Sequence, residues 1–206
     1  MYWLDVWGFR GVVECGRPMR MDNELITALD VQSLWGLRAD GRVFTGRDYP
    51  VGYEDWPSKC RDVLEWIPDA ETETKHGGLL MTSLIHQATM PLGDGLHDYA
   101  YIQRARIHAL ILLRGLILPD TTGCKVPFMW LNAFDDPEEV ANINWGSAAL
   151  AYLYHYLCEA SVGRQRRDVG GPMVLLQLWA WERMPTLRPA FLISLMYTPY
   201  TPCGAK

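Results

Sequence analysis

The sequence has little lysine, few and scattered cysteines, and no long apolar run. Only four of its 19 basic residues are lysines, namely Lys59, Lys75, Lys125 and Lys206. Its five cysteines stand far apart without a CxxC pair, a usage typical of reduced thiols in the cytosol or nucleus that predicts neither a disulfide nor a zinc site. The longest apolar stretch, residues 107–118, is broken by His108, Arg114 and Gly115 and is too short to cross a bilayer. We therefore expect a soluble, unexported protein.

An excess of positive charge is also lacking. The formal net charge is −5 and the pI is near 5.5, whereas domains that bind nucleic acid through their overall field are usually basic. One local basic cluster remains, formed by Arg164, Arg166 and Arg167. It is either the polar exit of a helix or a contact for a phosphate group or an acidic partner.

What is present is a folded, aromatic-rich composition. The 206 residues are 49% hydrophobic and 21% charged, with nine Trp and ten Tyr. A chain of this length buries about 70% of its unfolded surface, so it needs no disulfide or metal to hold a core. We expect most of the Trp and Tyr in that core, although Trp, Tyr and Arg are also the residues that anchor protein interfaces.

Helix signals recur along most of the chain. Thr27 and Asp30 have the spacing of a capping box, and Gly36 ends that short helix. Asp136 and Pro137 supply the cap and the first-turn proline of another helix. The remaining predicted helices are residues 58–66 with Ser58 as the cap, 79–88, 98–118, 147–161 and 173–184. The helix at 147–161 is apolar on most of its circumference, which predicts burial on several sides.

The strongest period lies in residues 98–118. Apolar residues recur there at three- and four-residue steps, at Ile102, Ala105, Ala109, Leu112, Leu113 and Leu116. This spacing predicts a long, central helix.

Together these signals predict a mainly α fold. We expect a single compact multi-helix domain, with one short strand or hairpin near the N-terminus at residues 42–45. The predicted organisation is an N-terminal segment at 1–26, the helical domain at 27–189, and an irregular tail at 190–206 that contains an apolar stretch at 191–196.

Four segments carry a family resemblance. They are TALDVQSLWGL at 27–37 with DGRVFTG at 40–46, the apolar helix from Tyr101 to Pro119-Asp120, WGSAALAYLY at 145–154, and GGPMVLLQLWAWER at 170–183. In order and spacing, across residues 27–189, they resemble the plant mobile domain of maintenance-of-meristems-like proteins, long-form plant protein phosphatase 7 homologues and certain plant transposable elements.

The resemblance implies a helical domain without catalytic activity. In this family such a domain is linked to transposon silencing, gene-expression regulation and meristem maintenance, in the nucleus and through protein partners. It implies a protein partner here, such as a phosphatase-like protein or a second plant-mobile-domain protein. The short apolar runs of the sequence, in turn, predict no membrane as a partner. The alternative is a nucleic-acid-binding domain of transposon origin that uses Arg164, Arg166 and Arg167.

The residue pattern gives little support for catalytic activity. A pyridoxal enzyme needs a lysine beside a phosphate cup, and none of the four lysines has a Gly-rich cup nearby. A metallophosphatase needs clustered ligands, whereas His86, His97 and His108 are eleven residues apart with Pro91, Gly93 and Gly95 between them. The acidic run at 135–139 suits a helix start better than a cation site. We therefore expect no catalytic residue, cofactor or metal.

The remaining candidate residues belong to the helices. Arg114 lies inside an apolar stretch, where an unpaired buried charge would be costly, so it either pairs with a carboxylate, Glu182 being one candidate, or snorkels to the surface. The other residues of this structural motif are Trp145, Trp179, Trp181, Glu182 and Arg183. Their tryptophans either pack in the core or bind a partner.

Overall fold

A computed structural model of the chain describes residues 26–91, 98–162 and 169–189. The chain divides into two compact units, one of Arg38–Met173 and one that combines Met1–Leu37 with Val174–Lys206. Across the described residues helices dominate and the sheet has two short strands, which confirms the mainly α class. The apolar stretch at 191–196 lies outside the described residues, and the domain boundaries at 27 and 189 stay predictions.

The helices follow the sequence signals closely. Within the described residues they are, in chain order, α1 (Ala28–Trp35), α2 (Trp56–Leu64), α3 (Met81–Thr89), α4 (Asp98–Leu112), α5 (Pro137–Ala141), α6 (Trp145–Ser161) and α7 (Met173–Arg183). A π-helical turn, Leu113–Ile117, continues α4, and 3₁₀ helices cover Phe128–Ala133 and Pro185–Leu187.

The predicted start of α1 is confirmed, whereas the predicted start of α2 is wrong. Thr27 and Asp30 form the expected capping box, and Gly36 ends α1 in the left-handed conformation. The cap of α2, however, is Asp55, whose carboxylate accepts the N–H of Ser58 at 2.8 Å. The prediction of Ser58 as the cap was wrong because Pro57 is tolerated in the first turn of a helix, where its missing N–H has no partner to lose.

The strands are not where the sequence suggested. Gly78–Leu80 (β1) pairs antiparallel with Lys125–Pro127 (β2), with Leu79 opposite Val126. Leu79 and Leu80 were predicted as the first turn of a helix, and they are the end of β1 instead. Around residues 42–45, where a short strand was predicted, the described chain makes one parallel bridge, from Arg42 to Ile143. The actual pairing joins residues 47 positions apart, which local patterns do not reveal.

The core of the larger unit is built from short contributions of many elements. Its fully buried members include Cys60, Leu79, Leu110, Val126 and Leu131. Helix α6 begins at Trp145, capped by Asn144, two residues before the predicted start. Its fully buried residues form one stripe, Gly146, Ala149 and Leu153, and most of its other side chains are half-buried, with Ala151, His155 and Cys158 exposed.

Candidate functional site

The inward face of α4 carries polar side chains into the core. Gln103 is 6% exposed and Arg106 is 4% exposed, and Arg114 in the π-helical turn is 2% exposed. Burying a charge costs free energy unless the charge is paired and hydrogen-bonded. Each of these side chains therefore needs partners from the elements packed against it.

The first set of partners is the C-terminal end of α2. The hydroxyl of Tyr99 donates to the carbonyl of Asp62 at 3.2 Å, and the amide of Gln103 donates to the same carbonyl at 3.0 Å. The guanidinium of Arg106 donates to the carbonyl of Val63 at 3.2 Å. The last carbonyls of a helix have no partner within it, and a cation beside them is favourable because of the helix dipole. One face of α4 thus caps α2.

A second arginine of α4 caps the helix before it. Arg104 donates to the carbonyl of Gln87 and, at 3.1 Å, to the carbonyl of Met90, which are the end of α3 and the residue after it. Polar side chains of α4 therefore donate hydrogen bonds to the C-terminal ends of the two preceding helices, α2 and α3. We call Tyr99, Gln103, Arg104 and Arg106 the capping residues.

Next to the capping residues lies a buried lysine. Lys59 is fully buried, and its Nζ lies 2.7 Å from the carboxylate of Asp135 and donates to the carbonyl of Val51 at 3.0 Å. The same Nζ lies over the ring of Tyr53, 5.1 Å from its centroid. Burial, followed by the charges of Asp62 and Asp135, raises the pKa of Tyr53. The amine of Lys59 thus forms an internal ion pair with Asp135.

The acidic run at 135–139 starts a helix, as predicted. Pro137 is the first residue of α5, Asp135 pairs with Lys59, and Glu139 lies 3.8 Å from Arg42. Within the described residues no group of three or more His, Cys, Asp or Glu side chains is arranged to hold a metal ion. His108 donates from Nδ1 to the carbonyl of Arg104 at 2.9 Å, and His97 lies outside the described residues.

Arg114 has the carboxylate partner that its burial requires. Its guanidinium pairs with Asp120 and donates to the hydroxyl of Thr122 at 3.3 Å. Asp120 also accepts the backbone N–H groups of Thr122 and Gly123, both at 2.8 Å. Burial alone would raise the pKa of Asp120, but Arg114 and these donors lower it to about 2. The sequence suggested Glu182 as the partner, whereas the structure pairs Arg114 with Asp120, six residues further on, and places Glu182 3.6 Å from Arg188.

The segment at 101–120, the segment at 145–154 and the Gly170-Gly171 start of the last segment meet around this pair. The N–H of Gly171, where φ is +89°, donates to the carbonyl of Pro119 at 2.8 Å. A Cβ on Gly170 would collide with the ring of Tyr156. Burial and the nearby Tyr156 raise the pKa of Tyr152 above its usual range, and the charges of Arg114 and Asp120 also act on it. The GG pair at 170–171 is thus required for close packing against α6.

The second part of the first segment, DGRVFTG at 40–46, packs against the start of α6. The N–H of Arg42 donates to the carbonyl of Asn142 at 2.8 Å, and Gly41, where φ is +104°, leaves no room for a Cβ beside that carbonyl. The ring of Phe44 lies 5.1 Å from the ring of Trp145, whose indole N–H donates to the carbonyl of Val140 at 3.2 Å. Trp145 therefore packs inside the fold.

The smaller unit holds the remaining motif residues. Arg183, at the end of α7, lies 2.5 Å from the carboxylate of Asp30 in α1. Burial raises the pKa of Asp30, but the N–H of Thr27 and the guanidinium of Arg183 together lower it below its usual value. Trp179 and Trp181 are half-buried, and the carbonyl of Trp181 accepts from Arg188 at 3.0 Å. Arg183 thus ties α7 to α1.

The outward face of α4 is apolar and exposed. Tyr101 is 53% exposed, Leu112 is 57% exposed and Leu116 is 40% exposed, and Ala105 and His108 between them are exposed as well. We call these five residues the exposed stripe. Three of the six apolar residues that predicted the helix, Ala105, Leu112 and Leu116, lie on it, so the apolar period marked a helix whose apolar residues are only partly in the core.

Several important residues were missed by sequence reasoning. Lys59 was considered only as a candidate cofactor lysine, and no role was predicted for Gln103, Arg104 or Arg106; their packing partners alone reveal what they do. Asp120 was visible as part of a turn but not as an ion-pair partner. Arg164, Arg166 and Arg167 lie outside the described residues, so their role stays a prediction. No helix in the described part of the chain is long and apolar enough to cross a membrane.

Comparison with known proteins agrees with the four segments. A family model for the plant mobile domain matches residues 19–203. This chain belongs to the plant mobile domain family. The predicted resemblance is thereby confirmed, and the motif contacts described above are contacts within a plant mobile domain.

Three Arabidopsis thaliana relatives illustrate the match. The protein named serine/threonine-protein phosphatase 7 long form homolog is 35% identical over 167 residues, 81% of this chain and 12% of that protein. Protein MAIN-LIKE 2 is 30% identical over 164 residues, 80% of this chain and 24% of that protein. Protein MAINTENANCE OF MERISTEMS is 28% identical over 166 residues, 80% of this chain and 33% of that protein. The chain thus spans a third or less of each of these relatives. No solved structure matches it.

Proposed function

We propose that this plant mobile domain is a protein-interaction module without catalytic activity. The observation that supports the proposal is the difference between the two faces of α4. Its buried arginines point into the fold, and the exposed stripe lies on its surface. Contiguous exposed apolar side chains on a folded domain are typical of interaction sites. Tyr101 and Leu112 are more than half exposed, although Leu112 belongs to the longest apolar stretch of the sequence, residues 107–118.

The buried charges support the same proposal. A catalytic lysine or arginine must reach a substrate, whereas Lys59, Arg106 and Arg114 are at most 4% exposed. Their donors are directed to backbone carbonyls and to the carboxylates of Asp135 and Asp120. These cations act as structural ties that hold α4 in place and so keep the exposed stripe rigid.

The cellular location, the biological process and the partner of this domain are proposed from the family alone. The module acts in the nucleus, in transposon silencing, gene-expression regulation and meristem maintenance, with a phosphatase-like or a second plant-mobile-domain protein as partner. The relatives' names contain the words phosphatase and maintenance of meristems, and those words describe the relatives. For this chain they indicate which partners to test first.

The test is capture of a partner by the full chain from plant nuclear extract, followed by reconstitution with the purified partner and measurement of the Kd by calorimetry. Leu112→Glu should weaken binding because it places a charge on the exposed stripe. Leu29→Glu is the matched control, since Leu29 is an exposed helical leucine, 71% exposed, in α1. Equal binding by both variants, or hydrolysis of a phosphate ester by the pure protein, would contradict the proposal.

The alternative function, nucleic-acid binding, is tested by a separate measurement. Binding through phosphates weakens steeply as salt rises. Fluorescence anisotropy with a DNA duplex, measured for the full chain and for the triple variant Arg164→Ala, Arg166→Ala and Arg167→Ala, separates the two. Salt-sensitive binding that the triple variant loses would favour nucleic acid over a protein partner.

A further inference from the structure

His108 lies at the centre of the exposed stripe, and it is the one residue of the stripe whose side chain ordinarily takes up a charge near neutral pH. Its neighbours on this face of α4, three and four positions away, are Arg104, Ala105, Ile111 and Leu112. Of these Arg104 alone is charged, and its guanidinium is directed to carbonyls at the end of α3. His108 is therefore a polar group among apolar surroundings on the surface of α4.

One hydrogen bond fixes the chemistry of the imidazole of His108. Its Nδ1 lies 2.9 Å from the carbonyl oxygen of Arg104, and because a carbonyl can only accept, Nδ1 is the nitrogen that carries the hydrogen. The uncharged ring then has a bare lone pair at Nε2. Among the described residues no group donates to Nε2, and the residue is exposed. The stripe therefore offers a hydrogen-bond acceptor at its centre.

The charges of the chain indicate which kind of group meets this acceptor. The net charge of −5 disfavours the approach of a carboxylate, and a lone pair that faces outward gives a carboxylate nothing to bind. We propose that His108 is the specificity-determining residue of the exposed stripe and accepts a hydrogen bond from an N–H or O–H group of the partner. A polar group that is buried in a contact needs such a bond, so a partner with only apolar side chains opposite His108 binds more weakly. The inference rests on the proposed function, because it names the chemistry of the partner at the same stripe.

Protonation would reverse the chemistry of this position. A histidine is ordinarily uncharged above about pH 7 and charged below about pH 6. The charged ring of His108 carries a hydrogen at Nε2 as well, so a donor then faces the partner's donor and a charge enters the apolar contact. Binding should therefore weaken as the pH falls.

Other titratable groups lie on the elements around α4. Helix α2 contributes Asp62, whose carbonyl binds Gln103 on the inward face. The π-helical turn contributes Arg114, which is buried. Helix α3 contributes His86 in its last turn, and this residue is exposed. Because His86 ordinarily titrates in the same pH range as His108, it provides the matched control.

NMR spectra of the full chain with nitrogen-labelled histidine test the premise without a partner. Above about pH 7 the hydrogen of His108 should be on Nδ1, and Nε2 should show the shift of a bare nitrogen. His108→Gln identifies the signals, because they are missing in this variant. The reverse tautomer would overturn the inference, since His108 would then present a donor.

The pH dependence of binding tests the role of His108 in the complex. The Kd of the full chain for the purified partner from the nuclear-extract capture is measured by calorimetry at about pH 7.5 and about pH 5.5. The wild type should bind at least about tenfold more weakly at the lower pH, because two donors then face each other without an acceptor. His108→Lys, which is charged at both pH values, should bind weakly at both. His108→Gln keeps an uncharged acceptor and should lose the pH dependence, whereas His86→Gln and His86→Lys should behave like the wild type.

The outcomes separate this inference from the proposed function. An equal Kd at both pH values, or a pH dependence that His108→Gln retains, overturns the role of His108. Tighter binding at the lower pH also overturns it, because the partner would then present a carboxylate. If Leu112→Glu still weakens the complex in any of these cases, the interaction module stands and only the inference about His108 fails. If neither Leu112→Glu nor the His108 variants change the Kd, both fail.

Discussion

The inward face of α4 buries polar side chains beside apolar ones such as Ile107 and Leu110, whereas its outward face exposes apolar side chains, so the two faces do not divide as those of most surface helices do. On the inward face Gln103, Arg106 and Arg114 are buried, and on the outward face Tyr101 and Leu112 are more than half exposed. An amphipathic helix usually turns its polar face to water. The comparison teaches that polarity alone does not assign a face: the buried polar groups meet carbonyls that would otherwise lack partners, and the exposed apolar groups cost little.

The largest expected effect comes from breaking the inward face at Arg114. Arg114→Met leaves Asp120 without its cation and the carbonyl of Leu118 without a donor. Removing one partner of a buried ion pair costs about 3–5 kcal/mol, and we expect the free energy of unfolding to fall by about that amount. Urea unfolding at pH 7 measures it. Arg61→Met is the control, since Arg61 is exposed, and a similar loss in both would show that the burial of Arg114 is unimportant.

A somewhat smaller loss is expected at the cap of α2. Arg106→Met removes the donors to the carbonyls of Val63 and Asp135. Hydrogen bonds from a charged group are worth about 1.5–3 kcal/mol, so the free energy of unfolding should fall by about 2–3 kcal/mol. The last turn of α2 should also fray, which faster amide hydrogen exchange there would reveal. Unchanged exchange at residues 61–65 would remove the capping role.

The pH dependence of the free energy of unfolding tests the ion pair of Asp120 with Arg114 on the inward face. The folded pKa of Asp120 is about 2, below its ordinary value of 3.8, so the ionised carboxylate stabilises the fold above about pH 4 and this contribution disappears as the pH falls toward 2. The difference is worth about 2 kcal/mol at pH 7. In Asp120→Asn this part of the acid dependence should be missing. Parallel pH curves for the two proteins between pH 4 and 2 would contradict the assignment.

The smallest expected effect is on the outward face. Leu112→Ala should change the free energy of unfolding by less than about 0.5 kcal/mol, because surface substitutions rarely do more. Leu110, two residues away and fully buried, provides the matched case: Leu110→Ala should cost about 3 kcal/mol through the cavity it leaves. Urea unfolding of the pair measures the contrast. Equal losses would mean that Leu112 is packed in the fold.

Features that depend on a few neighbouring residues could be predicted. The capping box of Thr27 and Asp30, the end of α1 at Gly36 and the start of α5 at Pro137 all follow from contacts within four residues. The family could also be recognised, because the last two of its four segments are long and rich in tryptophan. The cap of α2 failed at this scale only because Asp55 and Ser58 are both good caps, three residues apart, and the proline between them suits either choice.

Features that depend on distant residues could not be predicted. The strand pairing of Leu79 with Val126 and the ion pair of Lys59 with Asp135 join segments that are far apart in the chain. The role of Arg106 depends on where α2 ends in space, and neither the type of the residue nor its spacing contains that information. For the same reason the exposed stripe was interpreted only as a helix signal.

By itself, the sequence determined that this protein is a mainly α member of the plant mobile domain family and where most of its helices begin and end. Helix formation and capping are set by neighbours along the chain, so they leave a local pattern. Only the tertiary structure decided that Arg106 and Arg114 lie inside while Leu112 lies outside. A side chain's burial depends on which distant carbonyl or carboxylate meets it, and three-dimensional packing alone brings those groups together.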